Sequence, residues 1–501
     1  MSADGLLHWS AHLPPGRSAG GVDLTSARSL PAAWSSRWRA RPDAEVFRTP
    51  EGEPVTGAEL AETTAAVAGR LCGAGAEPGD RVLMAAAPSR ALVVAHVGAL
   101  RAGLVVVPVN PALSRRELVS LIADARPKVV LAGPEAARWA TEAGTGAVVS
   151  TPEVPLAQGP APPLDRVEGA DPGLILYTSG TTGRPKGVTL SHANLLAGAE
   201  SVRLAWGWSA EDRLALALPL SHAHGLCIGL HGSLLAGSPP LVFDRFDPEV
   251  VLASVARGAT MFFGVPTMYA RLLEASRAGR LGGLRLCVSG SAPLDPGLHQ
   301  ALSRRTGATV LERYGTTETL LLASNPLVGE RRAGTVGFPL PGVDLRLDEA
   351  SGEILVRGPS VFAGYRDQPE ADQGAFAGGW FRTGDIGAVE GGYLRIVGRS
   401  KEIIITGGYN VHPREVEDVL RGHPGVRDAA VVGVPSARWG EEVTAYVETD
   451  GALDVGSLRS YAGEQLAFYK RPRAVVVVEA LPRTLLGKVA KDRLPPPDPP
   501  D

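Results

Sequence analysis

The sequence predicts an α/β protein with buried, mainly parallel sheets, and three observations carry that prediction. Short apolar runs alternate with amphipathic stretches of helix length. The runs are apolar almost throughout, as strands covered on both faces are. Several of them end in Gly/Ser/Thr-rich turns, and open α/β sheets collect ligands at the carboxyl ends of their strands.

The elements follow in order. Residues 1–26 are rich in Gly, Ser, Ala and Pro and are expected to be ordered only in part. Ser29 to Arg41 predicts a helix, with Leu30, Trp34 and Trp38 on one face. Thr56 caps a helix through Leu60, Val67 and Leu71. Arg81-Val-Leu-Met-Ala-Ala, Leu104-Val-Val-Val-Pro-Val and Lys128-Val-Val-Leu-Ala read as strands, separated by helices over Ser89 to Ala102 and Ser114 to Ala125. Thr151 to Pro172 is Pro-rich and polar, a surface connection. Leu174-Ile-Leu is a buried strand leading into Tyr177-Thr-Ser-Gly-Thr-Thr-Gly-Arg-Pro-Lys-Gly-Val188.

That loop is built for a polyphosphate. Its glycines admit backbone N–H groups close to an anion, Thr178, Ser179, Thr181 and Thr182 add donors, and Lys186 adds charge. Pro185 and Gly187 flank the lysine, so it is not a Walker A loop. After it the β/α rhythm resumes: a helix from Ser191, strands at Arg213 to Leu218 and Pro240 to Phe243, and a helix over Pro248 to Arg257. Met261 to Arg271 is a strand turning into a helix. Leu284 to Pro293 and Val310 to Thr319 are strands with small-residue turns. From Gly334 shorter strands with frequent glycine (Asp344 to Leu347, Glu353 to Val356, Tyr393 to Val397) bracket Trp380-Phe-Arg-Thr-Gly-Asp-Ile386, read as a turn with one fixed acid. A last unit follows of about 100 residues, the size of a small α+β domain. It carries a strand at Ile403 to Ile405, helices at His412 to Leu420 and Val455 to Leu466, and strands at Val426 to Val434 and Val443 to Val447.

The 501 residues carry a net charge of −3, which points to neither nucleic acid nor an anionic membrane. Three cysteines, far apart and without metal-ligand spacing, predict a reduced, cytoplasmic setting. The longest apolar stretch, Ala95 to Val109, is broken by Arg101, and the N-terminus lacks the basic and apolar regions of a secretory signal.

Five motifs in one order now stand in view: the opening loop, Glu312-Arg-Tyr-Gly-Thr-Thr-Glu318, Arg382-Thr-Gly-Asp385, Gly398-Arg-Ser-Lys401 and Arg483-Thr-Leu-Leu-Gly-Lys488. By them the chain resembles the adenylate-forming superfamily of acyl-CoA synthetases, non-ribosomal adenylation domains and beetle luciferases, over about Ser29 to Leu494. The resemblance implies an N-terminal adenylation domain (27–400) of two layered, mainly parallel sheets covered by helices, with a small β-barrel-like unit (333–398), and a mobile C-terminal domain (401–501). It implies that ATP, Mg²⁺ and CoA take part. Thr178, Ser179, Gly180, Thr181, Thr182 and Lys186 hold phosphates, and Gly290, Ser291, Ala292, Arg313, Tyr314, Gly315 and Thr316 line the nucleotide site. Thr317 contacts the α-phosphate, and Glu318 with Thr181 binds the metal. Asp385 accepts from the ribose, with Arg399 in support. Lys488 bridges carboxylate and phosphate. Lys401 is the hinge for a rotation that exposes Gly407-Gly-Tyr-Asn-Val411, including Gly408, to a pantetheine tunnel. His222 gates the acyl site.

A narrower likeness bears on the acid. Gly258 to Leu272, Val288-Ser-Gly-Ser-Ala-Pro-Leu294 and Glu312-Arg-Tyr-Gly look like the malonyl-CoA and methylmalonyl-CoA synthetases. This implies that Arg271, Ser291 and Arg313 hold a second, unreactive carboxylate. A carboxylate buried without a cation costs more than a hydrogen bond returns, which suits that arrangement. Thr316 and Ser221 stand where relatives often carry methionine and phenylalanine, so the pocket is expected to admit a substituent on the malonate α-carbon. Other readings share these motifs. The acceptor can be a carrier-protein thiol, although no carrier domain lies within these residues, or the acid another small or medium one. A luciferase-like oxygenase needs an aromatic pocket that a chain with 5% aromatics supplies poorly. A regulatory nucleotide binder fits badly with intact Glu318, Asp385 and Lys488.

Overall fold

A computed structural model describes residues 9–13, 22–153, 156–160, 162–178, 186–406, 409–436, 439–449, 451, 453–484 and 487–496. The chain separates into two compact units, a large one of Met1–Leu345 with Val356–Phe381 and a smaller one of Arg346–Leu355 with Arg382–Asp501.

Two sheets organise the large unit. One has six strands in the spatial order Val148–Ser150, Val129–Ala132, Arg81–Ala85, Val105–Pro108, Pro172–Thr178, Lys186–Ser191. All its pairings are parallel except the last, a hairpin in which Thr178 faces Lys186. The other has seven, ordered Leu241–Val242, Leu214–Leu216, Met261–Gly264, Leu286–Ser289, Leu311–Tyr314, Ala323–Ser324, Phe338–Pro339. Its first five are parallel, and the last two add on antiparallel. The predicted fold class is therefore the observed one, and the central strands are buried along their length.

Local chemistry starts the helices where the sequence places them. Ser29, Thr56, Ser89, Ser114 and Ser191 each accept from a backbone N–H one turn in, and Ser114 with Glu117 and Ser191 with Asn194 close full capping boxes. Helix Arg90–Arg101 is buried from Leu92 onward. Its one buried cation, Arg101, is matched by Asp165 through two hydrogen bonds of 3.0 and 3.1 Å.

Between helices Leu30–Ala40, Arg90–Arg101, His192–Ala205 and His231–Ala236 lies a group of buried histidines. His96 and His231 share one hydrogen bond of 2.8 Å between their Nε2 atoms, and Trp34 meets His231 edge-on at 5.1 Å. Burial lowers His96 to about 3 and His192 to about 4, and it lowers His231 with help from its two neighbours. These groups are neutral in the fold, while in the unfolded chain they titrate near 6.5. The unfolded state therefore binds more protons below pH 6.5, and stability falls with pH from there down to the folded pKa values. Each such histidine contributes about 1.4 kcal/mol per pH unit across that window. The thermal midpoint is expected to drop steeply between pH 6.5 and 4, and His96→Gln to flatten the slope; an unchanged slope would remove this cluster as the cause.

The smaller unit holds a five-stranded sheet of Tyr409–Val411, Ile404–Thr406, Gly440–Glu448, Asp428–Ser436 and Ala474–Val478, with helices Pro413–Arg421 and Val455–Gln465. Ile404, Val416, Leu420, Val431, Val443 and Leu458 form its core. One expectation is corrected here. The Arg382-Thr-Gly-Asp385 stretch is not a turn; it lies inside the eleven-residue strand Trp380–Glu390. Gly384, at φ +73°, absorbs the kink that the sequence pattern suggests, and the register slips by a bulge just after Ile386.

Candidate active site

In the large unit, the polar groups gather at strand ends. Lys186 opens the return strand of the hairpin that begins with Pro172–Thr178, and its ammonium lies 4.8 Å over the ring of Tyr365. The Tyr365 hydroxyl donates to Glu318 Oε1 at 3.0 Å, and Phe362 N–H donates to the Glu318 carbonyl at 2.8 Å. The structure thus joins the loop lysine to Glu318 through Tyr365, a residue with no separate sequence signal beyond an aromatic after Gly364. Ser179, Gly180, Thr181 and Thr182 lie outside the described residues, as does Gly408. Thr178 and half-buried Thr317 flank the same region of chain as Lys186 and Glu318.

The turn after strand Leu311–Tyr314 is tightly held. Thr316 N–H donates to Thr319 Oγ1 at 3.2 Å, and a Cβ on Gly315 would lie 2.0 Å from the Leu320 carbonyl oxygen. Only glycine fits that contact. Tyr314 is buried at the strand's end, and Ala292 is half-buried in the turn that follows Gly290 and Ser291.

Arg313 is the unusual member. It is 5% exposed, and among the described residues no carboxylate pairs with it. One Nη donates to Ser291 Oγ at 3.2 Å, while its Nε is buried without a partner. Burial pushes its guanidinium down to about 9, so it stays charged at neutral pH. Gly290 makes room for it: a Cβ there would lie 2.3 Å from Arg313 Nε and 2.4 Å from Cζ. Ser291 sits at φ +68°, a costly conformation for a non-glycine, which presents its hydroxyl to the guanidinium. Arg271 is elsewhere in its contacts. It is exposed on helix Pro266–Glu274 and lies 4.9 Å over the ring of Phe246. Ser291 and Arg313 are brought together; no contact among the described residues joins Arg271 to them. His222 is half-buried just before the π-helical turn His224–Leu230, and burial lowers its pKa.

In the smaller unit, Asp385 is 5% exposed and accepts from Arg399 Nε at 3.1 Å; the two face each other across an antiparallel pair. Glu353 braces the same strand through Arg382 and through Gly384 N–H at 3.0 Å. Lys488 follows Gly487, which at φ +77° donates from its N–H to the Thr484 carbonyl at 2.8 Å. The side chain is exposed at its flank while its ammonium is crowded. Crowding lowers its pKa first, then Arg399, against smaller opposing effects of Glu402 and Asp385. Asp385, Arg399 and Lys488 therefore share one electrostatic neighbourhood. Lys401 lies in the short helical turn Ser400–Glu402 that follows the Arg399 strand. A cluster that the sequence reading missed lies nearby in the chain: Arg473 stacks 3.8 Å over Trp439 and 5.7 Å from Phe468, which is 67% exposed. These residues are scattered in sequence, so spacing gives no signal for them.

Comparison with known proteins decides the family. A model described as AMP-binding enzyme matches residues 34–366, and one described as AMP-binding enzyme C-terminal domain matches residues 415–488. The chain belongs to the AMP-binding enzyme family. It is 36% identical to a feruloyl-CoA synthase of an Amycolatopsis species, over 91% of this chain and 96% of that one. It is 36% identical to the mitochondrial malonate–CoA ligase of Bos taurus (84% and 82%), and 35% identical to a sulfoacetate–CoA ligase of Cupriavidus necator (93% and 96%). Among solved structures, ATP-bound MatB from Rhodopseudomonas palustris superposes with a TM-score of 0.88 at 38% identity, over 93% of this chain and 97% of that one. A malonyl-CoA ligase product complex with methylmalonyl-CoA and AMP gives 0.65 at 41% identity (88% and 97%). This AMP-binding family member is an acid–thiol ligase, an AMP-forming acyl-CoA synthetase.

Proposed function

We propose that this synthetase activates a small carboxylic acid bearing a second acid group, malonate or an α-substituted malonate such as methylmalonate, and transfers the acyl group to CoA. The observation that carries the reading is Arg313, a buried guanidinium with no carboxylate partner among the described residues, lodged against Gly290 and bonded to Ser291. A buried charge without a counter-ion is costly, and a substrate carboxylate supplies one. The malonate and sulfoacetate ligases, both similar to this chain, are named for acids with two acidic groups. The feruloyl-CoA synthase is named for an acid with one, and such an acid would leave Arg313 unpaired. Arg271 is a second candidate cation for that carboxylate, a role it takes only by leaving the Phe246 ring.

In the first half-reaction a carboxylate oxygen attacks the α-phosphorus of ATP, and the bond to the leaving pyrophosphate breaks. The loop residues Thr178, Ser179, Gly180, Thr181, Thr182 and Lys186 hold the outer phosphates, Thr317 contacts the α-phosphate, and Lys488 offsets charge on the reacting oxygens. Gly290, Ala292, Tyr314, Gly315 and Thr316 shape the nucleotide's side of the pocket. Asp385, steadied by Arg399, accepts from the ribose hydroxyls. Mg²⁺ neutralises phosphate charge when bound. Glu318 and Thr181 would hold it, and a Glu318 oxygen without a hydrogen bond among the described residues suits an ion whose other ligands are phosphates and water. In the second half-reaction the CoA sulfur attacks the acyl carbonyl and AMP leaves. Rotation about Lys401 brings Gly408 to the thiol's path, and His222 gates the acyl site. The Arg473–Trp439–Phe468 stack suits the base and phosphates of CoA.

ATP–pyrophosphate exchange over malonate, methylmalonate, ethylmalonate, sulfoacetate, acetate, ferulate and octanoate tests the reading. Preference for the acids with two acidic groups is expected. Activity with ferulate or octanoate and none with any malonate would overturn it.

A further inference from the structure

A second polar group shares the face that carries Arg313, and the roles assigned above do not use it. In parallel strands, paired residues point the same way and alternate residues share a face. Phe263 pairs with Val288, and Val288 with Leu311, so Arg313, two residues past Leu311, emerges on the same face as Phe263. The imidazole of His224 stacks on Phe263 at 6.2 Å with the rings 12° apart. Trp206 and Trp208 grip other edges of Phe263 at 5.2 and 5.4 Å, so the position of that ring, and of the imidazole on it, is set by packing.

His224 opens a π-helical turn, a feature that recurs at functional sites. The turn is held close to the preceding strand end by Gly225, where a Cβ would lie 2.3 Å from the Pro219 carbonyl oxygen. The side chain is 6% exposed, and among the described residues nothing bonds either ring nitrogen. Two unsatisfied nitrogens on one buried ring are expensive, of order 1–3 kcal/mol for each group. Native interiors rarely keep such groups without a use. Ser221 Oγ, in the same segment, is also buried without a partner. Burial keeps the imidazole neutral, and the charge of Arg313 adds to that effect, which places the two groups within electrostatic reach of each other. A neutral imidazole carries one N–H donor. An anion on Arg313 therefore has a second donor within electrostatic reach on the same face of the sheet.

We propose that His224 is a specificity residue for the second acid group of the substrate, donating from a ring nitrogen to the same anion that Arg313 pairs with. The inference rests on the dicarboxylate reading above. It separates His224, which reads the unreactive acid group, from His222, which is placed at the reacting end.

The test compares malonate with propionate, which keeps the reacting carboxyl and lacks the second one. His224→Phe preserves a flat ring on Phe263 and removes the donor; His224→Gln keeps a donor and guards against a variant that fails to fold, with thermal unfolding measured for both. With His224→Phe the KM for malonate is expected to rise roughly tenfold to a hundredfold, the range of a lost hydrogen bond to a charged group. The KM for propionate and both kcat values should stay within about twofold, and His224→Gln should recover much of the malonate loss. Equal losses with both acids would show a packing or gating role and overturn the proposal, as would malonate kinetics unchanged in both variants. If the unaltered enzyme shows no preference for malonate over propionate, the dicarboxylate reading falls and the proposal with it. If that preference is strong and survives both substitutions, only the assignment of His224 falls.

Discussion

Lys488→Ala is expected to lower ATP–pyrophosphate exchange by about 10²- to 10³-fold, the cost of removing one preorganised donor from a developing phosphate charge. The reason lies in how the lysine is presented. Arg483 is anchored to Asp428 and donates to the Gly487 carbonyl at 3.1 Å, which holds the residue before Lys488 in place. The ammonium is crowded and faces the positive charge of Arg399, which makes it readier for an anion than a lysine in water. Because the group acts while phosphate charge builds up, kcat should fall more than the affinity for ATP. Transfer to CoA from a preformed acyl-adenylate should change only a few-fold, since that step no longer involves pyrophosphate departure. Lys488→Arg should recover little, because a planar fork does not replace a compact point charge. Equal losses in the two half-reactions would remove Lys488 from the role proposed for it.

Arg313→Met is expected to split activity from stability. Malonate activation should fall by roughly 10²- to 10⁴-fold, corresponding to about 3–5 kcal/mol, which is typical of breaking a buried charge pair from one side. The fold should move the other way. The free protein buries this guanidinium with no carboxylate partner among the described residues, so methionine of similar length relieves a desolvation cost, and the thermal midpoint should hold or rise. Denaturation and exchange assays on one preparation check both. Loss of stability together with activity would mean that Arg313 serves the fold and not the substrate.

Much of the fold was legible because its signals are local. Apolar runs such as Lys128 to Ala132 are where the central strands lie, and hydroxyl caps such as Ser89 and Ser114 are where helices begin. What escaped was short or depended on distant partners. Val148–Ser150 and Ala323–Ser324 are too brief to show a period. Helix Pro296–Thr306 does carry a local signal, Asp295 capping it with Pro296 at its first position. Gly384 gives the Thr-Gly-Asp stretch the local pattern of a turn, while the ladder with its neighbour keeps it a strand. For the site, motif order brought Glu318, Asp385 and Lys488 to notice. Tyr365 and the Arg473–Trp439 stack were not visible, because each owes its place to a contact far away in sequence, and the His-Ala-His run shows His224 without the Phe263 ring it stacks on.

The close pass of Arg313 over Gly290 has a consequence for how this pocket can change. The space that the arginine occupies is the space that a side chain at 290 would need, since a Cβ there would lie 2.3 Å from Arg313 Nε. The positions are therefore locked as a pair. Any side chain at 290 displaces the guanidinium, whatever its chemistry, and a smaller residue at 313 leaves a hollow that 290 alone can fill. A path from a second acid group to an apolar tail thus crosses a valley if taken one substitution at a time. A library that varies both positions together goes around it.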